Sequence, residues 1–168
     1  LVTLLIIEPF GCVGLLHIAA MGVIKVSTFV KEVPEVARGL LPDDLRHFKV
    51  SLMPWLSQAY YDDKRMHYEL VKLPSRFSEN RMELGLHFES KDRALNGTLL
   101  SGFERYLFEV REALGDEWCA EPWDRGWTKI YTTFTYDVLD EARLANTARL
   151  LAQTISVMQP IYHLVARR

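Results

Sequence analysis

The sequence predicts an α+β fold: an antiparallel sheet of about five strands in meanders, with two long amphipathic helices packed on one face. Three observations predict it. Residues 65–73 and 81–89 alternate apolar and polar side chains with the period of a strand. Leu95, Leu99, Phe103, Leu107, Val110 and Leu114 recur at helical spacing, as do Leu144, Ala148, Leu151, Ile155, Met158 and Tyr162. The strands come in groups, each group followed by a helix, which is the segregated order of α+β proteins.

The elements follow in chain order. Residues 1–20 are apolar, precede Met21 and are read as an extension, with a single domain over 21–168. That extension has no Lys or Arg ahead of its apolar run, unlike a secretory signal. Its uncharged stretch, 9–24, is shorter than the roughly 18–20 residues that span a bilayer. The expectation is that the natural chain starts at Met21; a short membrane-associating or core element is the alternative. Over 27–41, Ser27 or Thr28 caps a short helix that Pro34 limits and Gly39 ends. Asp43 or Asp44 caps a helical turn as far as Phe48, although 49–52 also suits a strand. Strands are expected at 55–61, 65–73 and 81–89, with a turn at 62–64 and a loop centred near Phe77. Ser90 or Asp92 starts the first long helix and Gly115 stops it. Gly97 and Gly102 lie within that helix, where small residues point to close packing, most simply on the sheet. Trp118 to Glu121 and Trp127 to Tyr136 are the last strands, separated by a turn with Gly126 as its permissive residue. Asp137 or Asp140 caps the final helix, and Pro160 disturbs its last turn.

Composition narrows function. The 168 residues are 49% hydrophobic, enough for one core, and the net charge of -2 gives no global attraction for nucleic acid or an anionic membrane. Nucleic-acid binding would need a local patch, and Tyr60, Tyr61, Lys64, Arg65, Arg76 and Arg81 are the residues that could form one. Cys12 and Cys119 make no disulfide framework, so a reducing cytoplasm is the expected compartment. Cys119, between Trp118 and Ala120, reads as a small buried hydrophobe.

The densest chemistry is a doubled His-aromatic-Glu: His67-Tyr68-Glu69 and His87-Phe88-Glu89. Strand alternation puts Met66, Tyr68 and Leu70 on one face and His67, Glu69 and Val71 on the other. On the next strand Met82, Leu84, Leu86 and Phe88 are apolar, opposite Glu83, Gly85, His87 and Glu89. Folding this hairpin about Phe77 sets His67 against His87 and Glu69 against Gly85. The cluster His67, Glu69, Glu83, His87 and Glu89 then has four readings. It is the polar, solvated side of a sheet; a ligand or partner surface; a general-base pair; or a divalent metal site through His67, His87 and Glu89 that activates water. No cofactor is required by any motif, since no His-Glu-x-x-His, Gly-x-Ser-x-Gly or phosphate loop occurs. A second feature is the turn Trp123-Asp124-Arg125-Trp127, a stacking platform for a base or peptide aromatic, or a core lid. Asp124 caps that turn through its own backbone, and Arg125 is placed to pair with Glu121 or the Glu-rich face.

The segment 81–131 resembles a small domain of unknown function found attached to PD-(D/E)XK-type nucleases and other bacterial defence proteins. The residues that carry the resemblance are Glu83-Leu84 in a strand, Leu114-Gly115 at a helix end, and Trp123 with Ile130 beyond. The nuclease motif itself, a strand Asp followed by Glu-x-Lys, is not evident. The resemblance implies an accessory binding or interaction domain beside a nucleic-acid-processing partner, with a protein partner or self-association as further expectations. A metal-dependent hydrolase built on the His/Glu hairpin is the alternative.

Overall fold

The computed structural model describes residues 22–75 and 79–167. The N-terminal extension, Cys12, Arg76 and Phe77, with the expectations placed on them, lie outside the described residues. In order, the elements are α1 (Val26–Leu40), β1 (Lys49–Met53), β2 (Leu56–Tyr60), β3 (Met66–Lys72) and β4 (Arg81–Phe88). Then come α2 (Arg93–Glu104), α3 (Leu107–Leu114), β5 (Cys119–Pro122), β6 (Thr128–Thr135) and α4 (Glu141–Ala166). The six strands form one antiparallel sheet in the order β1-β2-β3-β4-β6-β5. The fold is α+β as predicted. Residues 49–52, which suit either a helical turn or a strand, belong to β1, an edge strand paired with β2.

The predicted helix over 95–114 is two. Tyr106 N–H bonds Phe103 O, three residues back, at 2.8 Å, and Tyr106 sits at φ -108, ψ 9, so the regular ladder breaks between α2 and α3. Asp92 caps α2, its Oδ1 accepting from Ala94 N–H at 3.0 Å and Leu95 N–H at 3.1 Å. Asp140 does the same for α4, accepting from Arg143 N–H at 2.7 Å. Neither Ser27 nor Thr28 caps α1, which starts at Val26 with no side-chain cap. Pro34 lies inside α1 and does not limit it; its ring is buried against the core, which offsets the lost hydrogen bond. Pro160 lies inside α4 on its exposed side, where water can take the carbonyl it frees. Gly102 packs on α4 and not on the sheet: a Cβ there would run into Val165.

Alternation divides the sheet cleanly. Tyr68, Leu70, Leu84, Leu86, Phe88 and Ile130 lie on one face and are each at most 1% exposed. The helices cover this face. Phe88 packs 5.6 Å from Phe103 of α2 and 6.3 Å from Tyr162 of α4, and Tyr68 Oη donates to Gln159 Oε1 of α4 at 2.9 Å. Each such apolar side chain contributes about 1.5–3 kcal/mol by leaving water. This layer fixes the sheet, and with it the row of side chains on the opposite face.

Candidate functional site

The β3–β4 hairpin pairs His67 with His87 and Glu69 with Gly85. The two imidazoles stack with centroids 5.5 Å apart and planes 25° from parallel. Glu83 shares the polar side of β4 with Gly85 and His87, and Glu89 follows the end of the strand. All five predicted cluster residues therefore meet on the face turned away from the helices.

That face is not the solvated side the plainest reading expects. His67 and His87 are each 1% exposed, Glu69 8% and Glu83 5%. Long side chains from neighbouring strands close over them. Gln58 of β2 reaches Glu69, Lys129 of β6 reaches Glu83, and the Trp123 ring stands edge-on to His87 at 5.8 Å. The turn Trp123–Trp127, which the sequence presents as a separate feature, is thus one wall of the same cluster.

Each group has identifiable partners. His67 Nδ1 is 2.8 Å from Lys64 O, which can only accept, so Nδ1 carries a proton and donates, and Nε2 faces inward. That Nε2 is 3.3 Å from Glu69 Oε2 and 3.9 Å from Glu89 Oε1. Gln58 Nε2 donates to Glu69 Oε2 at 2.8 Å and also stands 3.1 Å from His67 Nε2. His87 Nε2 is 3.4 Å from Glu83 Oε1, and its Nδ1 is 3.8 Å from Glu89 Oε1. Neither His87 nitrogen makes a well-formed hydrogen bond, although both are buried. Lys129 Nζ is 2.8 Å from Glu83 Oε2, 3.8 Å from Glu121 Oε1 and 3.8 Å from the Tyr131 ring centre.

The electrostatics follow from these contacts. Burial pushes the Glu69 carboxyl up, but His67, the charge of His87 and Gln58 outweigh it and hold it below its ordinary value. Burial likewise acts on Glu83 and is outweighed by His87 and Lys129. Burial pulls His87 down, yet Glu83 and Glu89, with the charge of Glu69, raise it to about 9. Three carboxylates thus surround two imidazoles with one lysine among them, in a place largely closed to water.

Gly85 makes the cluster compact. A Cβ there would stand 2.6 Å from Tyr131 Cβ and 2.7 Å from Ile130 O, so only glycine lets β6 lie this close to β4. The approach brings Lys129 opposite His87.

Several expectations need correction. Arg125 pairs with neither Glu121 nor the hairpin glutamates; it lies 3.4 Å from Asp124 and 5.3 Å over the Trp127 ring. Lys129 does the neutralising instead. Asp124 does close the turn through its own backbone, its carbonyl accepting from Trp127 N–H at 3.0 Å. Gly126 has positive φ, 79°, as expected, but Arg125 does too at 60°, an uncommon state for a side chain with a Cβ. Cys119 is exposed on edge strand β5, not buried. The aromatic-basic stretch is engaged locally: Arg65 pairs with Asp63 at 2.6 Å, Lys64 donates to Ser51 at 2.9 Å, and Arg81 donates to Thr133 at 2.7 Å.

Sequence reasoning misses Gln58, Lys129 and Tyr131. Parity alone marks Gln58, which falls opposite Glu69. For Lys129 and Tyr131 there is no such signal, because β6 enters the sheet beside β4 only after two helices and an edge strand. A separate cavity of about 300 Å³ opens between α3, β6 and α4, lined by Leu114, Trp118, Phe134, Arg143 and Leu150. It shares no residue with the cluster and is mostly apolar in character.

Comparison of the chain with protein-family models, with curated proteins and with solved structures gives no match. Among the described residues no helix is long and apolar enough to cross a membrane.

Proposed function

We propose that this chain is a small binding domain that takes a cationic ligand on the sheet face turned away from the helices. The observation that carries the reading is the convergence of Glu69, Glu83 and Glu89 on two desolvated imidazoles, with Lys129 engaged chiefly by Glu83. Buried charge of one sign is costly unless matched, and the Lys129 ammonium and the His87 charge together do not match three carboxylates. The surrounding side chains supply shape: Trp123 and Trp127, with ring centres 5.3 Å apart, wall one side.

The charge argues against this face as a contact for phosphates, which it would repel. A nucleic-acid-processing partner, implied by the resemblance to the nuclease-associated domain, would have to engage another part of the molecule. Binding is favoured over hydrolysis because the extra carboxylate, Glu83, is already held by Lys129 and is not free to act as a base. Calcium, a small cation with no preference for nitrogen donors, tests the reading. In nuclear magnetic resonance titrations of the full chain, shifts are expected to concentrate on His67, Glu69, Glu83, His87 and Glu89. Shifts spread evenly over exposed acidic residues such as Glu32 and Glu104 would contradict it.

A further inference from the structure

We propose that the cation is a divalent transition-metal ion of the zinc class, bound by His67 Nε2, Glu69, His87 Nδ1 and Glu89. This deepens the cation-binding reading and rests on it.

Geometry comes first. One donor atom from each of the four residues can be chosen so that all lie within 4.8 Å of one another. Zinc bonds of about 2.0–2.2 Å place tetrahedral donors about 3.3–3.6 Å apart. His67 Nε2 and Glu69 Oε2 are already 3.3 Å apart. Glu89 Oε1 stands 3.9 Å from His67 Nε2 and 3.8 Å from His87 Nδ1, so a small rotation of its side chain closes these two gaps.

The groups behind the donors match what a metal site needs. A ligating histidine commonly gives its other ring N–H to a carbonyl or carboxylate, which fixes its tautomer. His67 does this through Nδ1 to Lys64 O at 2.8 Å. His87 presents Nδ1 to Glu89 and Nε2 to Glu83, and Lys129 steadies Glu83 in turn. Gln58 holds Glu69 at 2.8 Å; its 3.1 Å approach to His67 Nε2 is given up when an ion takes that lone pair. Independently, His87 is 1% exposed with both ring nitrogens lacking a hydrogen-bond partner. Coordination would satisfy one nitrogen and tighten the other against Glu83.

Charge and donor type select the ion. Two neutral imidazoles, two carboxylates and a divalent cation sum to zero, the cheapest state for a site out of water. Two nitrogen donors favour zinc, cobalt or nickel over magnesium and calcium, which prefer all-oxygen sets.

Cobalt(II) titration of the full chain, stripped of metal with a chelator, tests this. Expected are one ion per chain, the visible absorption of four-coordinate cobalt, and displacement by zinc but not by magnesium. Glu89→Gln keeps side-chain shape at the least buried donor and is expected to weaken cobalt at least tenfold; Glu83→Gln, one step removed, is expected to weaken it about 10–100-fold. His67→Ala/His87→Ala is expected to abolish the absorption, with circular dichroism reporting whether that variant folds. No saturable cobalt absorption in the folded wild type, or unchanged affinity in folded Glu89→Gln, overturns the proposal. Because calcium prefers oxygen donors, its localisation on this face with no cobalt(II) absorption would retain the cation reading and reject coordination by the two histidines.

Discussion

Lys129 Nζ donates to Glu83 Oε2 across the β4–β6 pair at 2.8 Å, with only 11% and 7% of the two side chains exposed. A pair this well enclosed is hard to break from one side, since the remaining buried charge keeps only a longer contact, Glu83 with His87 at 3.4 Å or Lys129 with Glu121 at 3.8 Å.

Replacing Lys129 with Met is therefore expected to destabilise the protein by about 3–5 kcal/mol. Adding Glu83→Leu to Lys129→Met is expected to recover much of that loss. Urea unfolding of the two variants checks the claim, and a single substitution costing under about 1 kcal/mol would show the pair to be screened like a surface bridge.

Stability of the metal-free protein is expected to depend on pH at both ends. His87 binds its proton more tightly folded than unfolded, with its value raised from 6.5 to about 9. Its contribution is complete below pH 6.5 and is lost as pH rises through 9. Glu69 and Glu83 are lowered from 4.5, so their contributions are present above that value and are lost as acid reaches the lowered values. Urea midpoints measured with chelator present should be highest between about pH 5 and 6.5. His87→Gln should flatten the alkaline decline; an identical decline in that variant would assign it to another group.

Gly85→Ala is expected to cost about 1–3 kcal/mol, because its Cβ must displace β6 backbone 2.7 Å away at Ile130 O. The same displacement moves Lys129 away from His87, so cobalt affinity should fall with stability. A variant as stable as wild type would mean that the two strands separate without strain.

Tyr68→Phe probes the opposite face. Tyr68 Oη donates to Gln159 Oε1 at 2.9 Å inside the core, and the variant leaves that oxygen without its donor. The expected loss is about 1–3 kcal/mol with metal affinity unchanged. A fall in affinity comparable to that of Glu89→Gln would show that the helices couple to the site.

Much of the hairpin is legible in the amino-acid sequence. Period-two alternation across 65–73 and 81–89 dictates which side chains share a face, and the loop between them sets His67 against His87. What alternation does not convey is solvent access. Polar side chains on a face without a helix read as wet, yet Trp123, Lys129 and Gln58 close over them. That closure depends on β6 pairing with β4 over a long stretch of chain, a non-local event with no local signature. The break at Tyr106 and the tolerance of Pro34 and Pro160 are similarly hidden, because tertiary burial and local hydration outweigh intrinsic helix propensity there. Cys119 misleads for a related reason: its apolar neighbours say nothing of its place on an edge strand.

X-ray diffraction from crystals of the full chain grown with zinc, recorded on both sides of the zinc absorption edge, tests the central claim most directly. The account predicts one strong anomalous peak bounded by His67 Nε2, Glu69, His87 Nδ1 and Glu89, at bond lengths of about 2.0–2.2 Å. Fully occupied zinc elsewhere on the chain, with the His67 and His87 rings still stacked and no peak between them, would contradict it.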